Sequence, residues 1–198
     1  AEGIEWNWET FPEYLEALEK MPRVMDIATQ VPQGSVRAYV MGERGARNEE
    51  PTADDLIAMA QIVQEGIEAG ALGFTSSRTM LHRALDGEPV PGTFAGAEEI
   101  IALGRAVAEA GGGVVEVASD IGLGGLEGNF GTDIEWMREL AGSYGLTVTY
   151  ALTQADRDPQ QWRDLLEMSS APLSGSGRVM AQIAGRPAGL LFGLETSL

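Results

Sequence analysis

The stretch that decides the fold is residues 113–152, GVVEVASDIGLGGLEGNFGTDIEWMRELAGSYGLTVTYAL. It opens on the β-type run GVVEVA at 113–118 and closes on a second, TVTYAL, at 147–152. Between them Thr132 and Glu135 stand at capping-box spacing, and Ile134, Met137, Leu140 and Tyr144 recur at the three- and four-residue steps of one helix face. Strand, amphipathic helix and strand in that order form a βαβ unit, which needs parallel strands and a crossover helix.

The same alternation extends outward in both directions. Runs at 35–41 (SVRAYVM), 71–75 (ALGFT) and 178–183 (RVMAQI) read as further strands. Helices are expected from Thr10-Phe11-Pro12-Glu13 through Tyr14, Leu18 and Met21, and from Thr52 through Leu56, Met59, Val63 and Ile67 to a cap at Gly70. Two more follow, from Phe94 to Ala110 and from Asp158-Pro159-Gln160-Gln161 around Trp162, Leu165 and Leu166. No Gly-x-Gly-x-x-Gly follows the first run, and Gly122-Leu-Gly-Gly-Leu126 reads as a flexible loop, so a dinucleotide-binding sheet is disfavoured. The expected fold is α/β, a single domain over residues 1–198 made of about five βα units of a partial (β/α) TIM-type barrel. A self-standing five-stranded doubly wound domain is the alternative. A full barrel has eight strands, so the opening at Ala1 and the close inside the apolar run LLFGLETSL suggest a central piece with strand edges through which copies could associate.

Composition narrows the function classes. With 13 Lys and Arg against 30 Asp and Glu, the formal charge is −17, and only one of the cations is Lys, so a nucleic-acid partner is disfavoured. There is no Cys, which removes disulfides, thiolate nucleophiles and Cys-based metal sites and makes a reducing cytoplasm the default expectation. No run of 18 apolar residues suggests a membrane span.

In a parallel barrel reactive groups gather at the carboxyl ends of the strands. The polar residues expected there are Glu43 and Arg44, then Ser76, Ser77, Arg78 and His82, then Ser119 and Asp120, then Thr153 and Gln154, then Gln182 and Arg186. Ser76 and Ser77 lack a Gly-x-Ser-x-Gly elbow and read as hydrogen-bond donors. Arg78 and Arg186 could each grip a substrate carboxylate, although pairing to one of the many acids is the commoner fate of an Arg. His82 is the only histidine, in a long connection (77–93) of the kind that binds or covers ligands. Glu116, inside an apolar strand, must meet a cation, a metal or the barrel mouth; Glu116 and Asp120 are the weak metal candidates.

Beyond these patterns, several longer motifs occur in a fixed order: Glu5-Trp6-Asn7-Trp8-Glu9 leading into Phe11-Pro-Glu-Tyr-Leu15, Val36-Arg-Ala-Tyr-Val-Met-Gly42, Gly70-Ala-Leu-Gly-Phe-Thr-Ser-Ser-Arg78, Leu81-His-Arg83, Asp86-Gly-Glu-Pro-Val-Pro-Gly-Thr-Phe94 and Gln182-Ile-Ala-Gly-Arg-Pro187. In these the chain resembles the D-aminoacylase (N-acyl-D-amino-acid deacylase) branch of the amidohydrolase superfamily. The resemblance implies a (β/α)₈ barrel and a hydrolase that cleaves an N-acylated carboxylate. Water activated by a divalent metal, zinc by expectation, would attack the carbonyl, and a carboxylate would relay the proton. The resemblance also marks departures. Ala118-Ser119-Asp120 and Leu152-Thr153-Gln154 stand where a His-x-Arg and a His-x-Lys would be, and Gln33 stands where a His would be. The family's His-x-His, second-strand Cys and late Asp would lie outside the chain, so these 198 residues are expected to bind metal poorly. A non-catalytic barrel used as a binding or scaffolding protein is the second reading of those departures.

Overall fold

A computed structural model describes residues 5–119, 130–154 and 158–186. Five parallel strands, β1 (Val31–Pro32), β2 (Gly73–Arg78), β3 (Val114–Ser119), β4 (Thr147–Ala151) and β5 (Arg178–Gln182), form one sheet. They lie side by side in chain order, each paired with the next. A doubly wound sheet reverses its strand order at a switch point, whereas a (β/α) barrel adds each strand beside the last, so this order selects an arc of a barrel.

The helices are α1 (Phe11–Lys20), α2 (Gln33–Met41), α3 (Glu43–Ala46), α4 (Ala53–Glu68), α5 (Ala97–Glu109), α6 (Phe130–Tyr144) and α7 (Gln161–Ser170). The expected capping box forms at Thr10 with Glu13 on α1, and the expected helix start at Thr52 carries one as well, with Asp55 on α4. The Thr132–Glu135 spacing does not mark a helix start, because α6 already begins at Phe130. Arg44 and the Thr52 cap hold the Asp55 carboxyl down to about 2. Its contribution to folding is therefore present above 3.8, the unperturbed value, and is lost as the pH falls through about 2. At α7 the Asp158 carboxylate accepts from the Gln160 and Gln161 amides, which puts the start of that helix where the sequence signal indicates.

One expected strand is corrected. Residues 35–41 are not a strand but most of α2, and the edge strand is the two-residue β1 just before it. Gln33, Val36, Arg37 and Met41 are the buried positions, a helical three-and-four spacing that places an arginine on the core side. The third helix also begins later than Phe94, at Ala97 after the Gly96 cap. The loop expected at 122–126 lies outside the described residues.

Register sorts the strand residues into two faces. Val31, Phe74, Val115, Val117, Val148, Tyr150 and Val179 share one face and are buried with the helix positions Met59, Val63, Leu103, Val107, Met137, Leu140 and Leu165. The opposite face carries Pro32, Thr75, Glu116, Thr149 and Met180 in one row across the sheet. Of these, Glu116 and Met180 are exposed. All the apolar burial therefore lies on the helix side, and the other side is the concave interior of an incomplete barrel. Among the described residues no helix is long and apolar enough to cross a membrane.

Candidate active site

Glu43 and Arg44, expected after a strand, lie instead on α3, where Arg44 pairs with Asp55 (2.7 Å). The carboxyl ends of β2 to β5 bring Ser76, Ser77, Arg78, Ser119 and Gln182 to one rim but turn them to different faces. β2 runs through Arg78, so Ser76, Ser77 and Arg78 are the last residues of the strand, not the start of the loop. Strand alternation points Ser77 to the open face and Ser76 and Arg78 to the helix side.

On the helix side both are engaged. Ser76 Oγ donates to Gln33 Oε1 (2.5 Å), and Gln33 Nε2 donates to Glu99 Oε1 (2.7 Å). The Arg37 guanidinium pairs with the other Glu99 oxygen and donates to the Glu49 carbonyl. Gln33, noted above for standing where a His would be, is thus the hinge of a buried polar network under the end of β2. Arg78 pairs with Asp133 through Nη2 (3.0 Å) and Nε (3.3 Å), and a further nitrogen donates to the Ala95 carbonyl. Trp136 Nε1 donates to the same Asp133 carboxylate (3.0 Å), so Arg78 ties β2 to α6. Of its two anticipated uses, gripping a substrate or pairing within the protein, the structure displays the second.

On the open side Ser77 Oγ lies 2.7 Å from His82 Nδ1. His82 belongs to a hairpin: Val90 N donates to the His82 carbonyl (3.2 Å), Ala84 N to Glu88 O (2.8 Å), and Arg83 bridges Pro89 antiparallel. The turn closes with Gly87 N donating to Ala84 O (3.0 Å), and Gly87 has φ +86°. This is a type I turn followed by a left-handed glycine, and the Asp86-Gly87 pair is the signal that announces it. Asn48, itself at φ 57°, braces the hairpin base: its Oδ1 accepts from Gly92 N (2.8 Å) and its Nδ2 donates to the Pro89 and Val90 carbonyls (3.4 Å each). Asn48 was not singled out from the sequence. Asparagine tolerates left-handed backbone and carries both a donor and an acceptor, which is what this corner requires.

The remaining candidates spread along the rim. Gln182 ends β5 on the open face and is exposed, Gln154 and Arg186 are exposed beyond β4 and β5, and Asp120 lies outside the described residues. Ser119 Oγ donates to the Ala151 carbonyl (3.0 Å) and joins β3 to β4. From β2 to β5 is three strand spacings, roughly 14 Å along the sheet, so Ser77 and Gln182 cannot both touch one small group. Glu116 sits exposed on the open face between Thr75 and Thr149, and the buried Thr149 hydroxyl has no partner among the described residues.

Among the described residues no group of three or more His, Cys, Asp or Glu side chains comes together that could hold a metal ion. Glu116 belongs to no such group among the described residues, and the described donor set does not fit a catalytic metal. A separate cavity of about 640 Å³ lies against the free edge of β1, walled by Trp6, Trp8, Phe11, Tyr14 and Tyr39, and none of the rim candidates lines it.

Comparison with known proteins bears on the family and the fold. The model of a family described as the amidohydrolase family matches residues 2–192. A solved D-aminoacylase mutant in complex with copper chloride superposes with a TM-score of 0.66 at 22% identity, covering 88% of this chain and 33% of that one. At that identity the likeness speaks for the fold. Uncharacterized proteins of Mycobacterium bovis and Mycobacterium tuberculosis are 30% identical over 96 residues, 45% of this chain. The chain spans only 16% of the length of these relatives.

Proposed function

The chain belongs to the amidohydrolase family, and from that premise we propose that it supplies part of the substrate-facing interior of a deacylase that hydrolyses the amide of N-acylated carboxylates, N-acyl-D-amino acids first among them. The observation that carries the reading is the polar rim, Ser77, His82 and Gln182, standing on the uncovered face of a parallel sheet at the strands' carboxyl ends, where this architecture places chemistry. The products would be a free carboxylate and an amine. In this reading Ser77 and His82 orient one polar end of the substrate, while Gln154, Gln182 and Arg186 contact it farther along the rim. Dependence on a divalent metal, zinc by the family resemblance, belongs to the proposal for the whole protein. Its ligands would come from outside the described residues.

The test uses the longest natural chain carrying these residues, assayed for amine release from N-acetyl-D- and N-acetyl-L-amino acids, with chelator and with zinc restored. Release from the D-series that chelation abolishes and zinc recovers is the expected result. No release from any N-acyl amino acid at any metal loading would overturn the deacylase and leave the scaffolding reading; release indifferent to chelation would overturn the metal dependence.

A further inference from the structure

The single imidazole of this chain is held in one orientation from two sides. Ser77 Oγ meets Nδ1 at 2.7 Å, and the backbone of His82 is locked into the hairpin that Asn48 braces. Ser77 projects from the open face of β2. Among the described residues Nε2 is the ring nitrogen without a partner, on an exposed side chain at the rim.

Which nitrogen carries the proton is set by the partner of the other. A serine hydroxyl can donate to Nδ1 when the ring is neutral and accept from Nδ1–H when it is protonated. With the hydroxyl donating to the neutral ring, and in the protonated ring, Nε2 carries the hydrogen, and the pair then offers an N–H donor at the end of β2.

We propose that His82 Nε2–H is the anchor for the substrate's carboxylate, with Ser77 as the residue that positions it. The inference rests on the deacylase reading for the substrate class and adds the atom that recognises it. Arg78, the other candidate at this end of the sheet, has its guanidinium on Asp133 and the Ala95 carbonyl on the helix side. Arg186 follows β5, three strands away. Arg83, next to His82 in the chain, directs Nη1 to the Gly87 carbonyl (2.8 Å) in the hairpin turn. In a protein of formal charge −17, a carboxylate needs such a local donor to overcome long-range repulsion.

Because His82 is the only histidine, its ring nitrogens give the only imidazole signals in a long-range ¹H–¹⁵N spectrum of the ¹⁵N-labelled 198-residue chain. At a pH where the ring is neutral, the spectrum should show the Nε2–H tautomer. Ser77→Ala should shift it toward the mixture of a free imidazole, and Ser77→Thr should restore it. Titration with N-acetyl-D-alanine should move the ring signals, while N-acetyl-D-alanine amide, which lacks the carboxylate, should not. Ser77→Ala, which frees the ring without removing the anchor, should weaken the response to N-acetyl-D-alanine.

An Nδ1–H tautomer in the unmodified chain, an equal response to both probes, or a silent ring with either would overturn the proposal. These outcomes separate from the hydrolysis assay: a ring that binds the carboxylate in a protein without turnover sinks the deacylase alone, and turnover with a silent ring sinks this anchor alone.

Discussion

Arg37→Met should destabilise the protein by about 3–5 kcal/mol, because it strands a carboxylate in the core. Arg37 and Glu99 are each 2% exposed, and their ion pair lies between α2 and α5. With the guanidinium gone, Glu99 keeps only the Gln33 amide, and the Glu49 carbonyl loses its donor. For a chain of this size the loss corresponds to a fall in Tm of roughly 6–20 °C. Replacing both partners, Arg37→Met with Glu99→Leu, should recover much of the loss, since a buried pair exchanged for apolar side chains is often close to neutral. Urea unfolding of the two variants checks this. A single variant within about 1 kcal/mol of the parent would mean the pair is hydrated. The network ends at Ser76, and a Cβ on Gly92 would come within 3.0 Å of the Gln33 amide carbon, so the same variant should loosen the base of the His82 hairpin.

Gly73→Ala should be comparably damaging for a different reason. Gly73 opens β2 at φ +154°, opposite Val114, and a Cβ there would lie 1.8 Å from the Val114 carbonyl oxygen. Backbone cannot yield as a flexible side chain can, so β2 and β3 must separate where the sheet begins. A cost of about 3 kcal/mol or more follows. Gly96→Ala is the control: it meets nothing within 4 Å and changes only a helix cap, which should cost about 1 kcal/mol or less. Denaturation midpoints separate the cases, and equal losses in the two variants would contradict the close approach of the strands.

Legibility from sequence followed how far each segment's pattern agreed with its packing. β3, β4 and α6 are readable because their apolar residues alternate or recur in step with the face they bury, and Thr10 carries a complete capping box, whereas the Thr132–Glu135 spacing falls inside α6 and misplaces its start. SVRAYVM was misread because Val36, Ala38 and Val40 mimic a strand, while the residue that reveals the helix, the buried Arg37, looks like a surface charge until Glu99, far away in sequence, is brought beside it. A two-residue strand such as β1 leaves no period to detect. At the rim, the residue types were visible but not their faces. Ser76 and Ser77 are neighbours in the chain, yet one feeds a buried network and the other meets His82, because β2 continues three residues beyond the point where its apolar run stops.

One face of this sheet is covered by helices, and the other, polar face is the open interior of a barrel arc. The chain has no Cys, so single cysteines report cleanly. Glu116→Cys and Val117→Cys differ by one position and point to opposite faces of β3. Labelling the folded protein with a thiol reagent should modify Glu116→Cys as fast as a free thiol. Val117→Cys should react at least about 100-fold more slowly, because it must wait for opening of the core. Equal rates, or protection of Glu116→Cys, would show that both faces of the sheet are covered and would contradict the barrel arc.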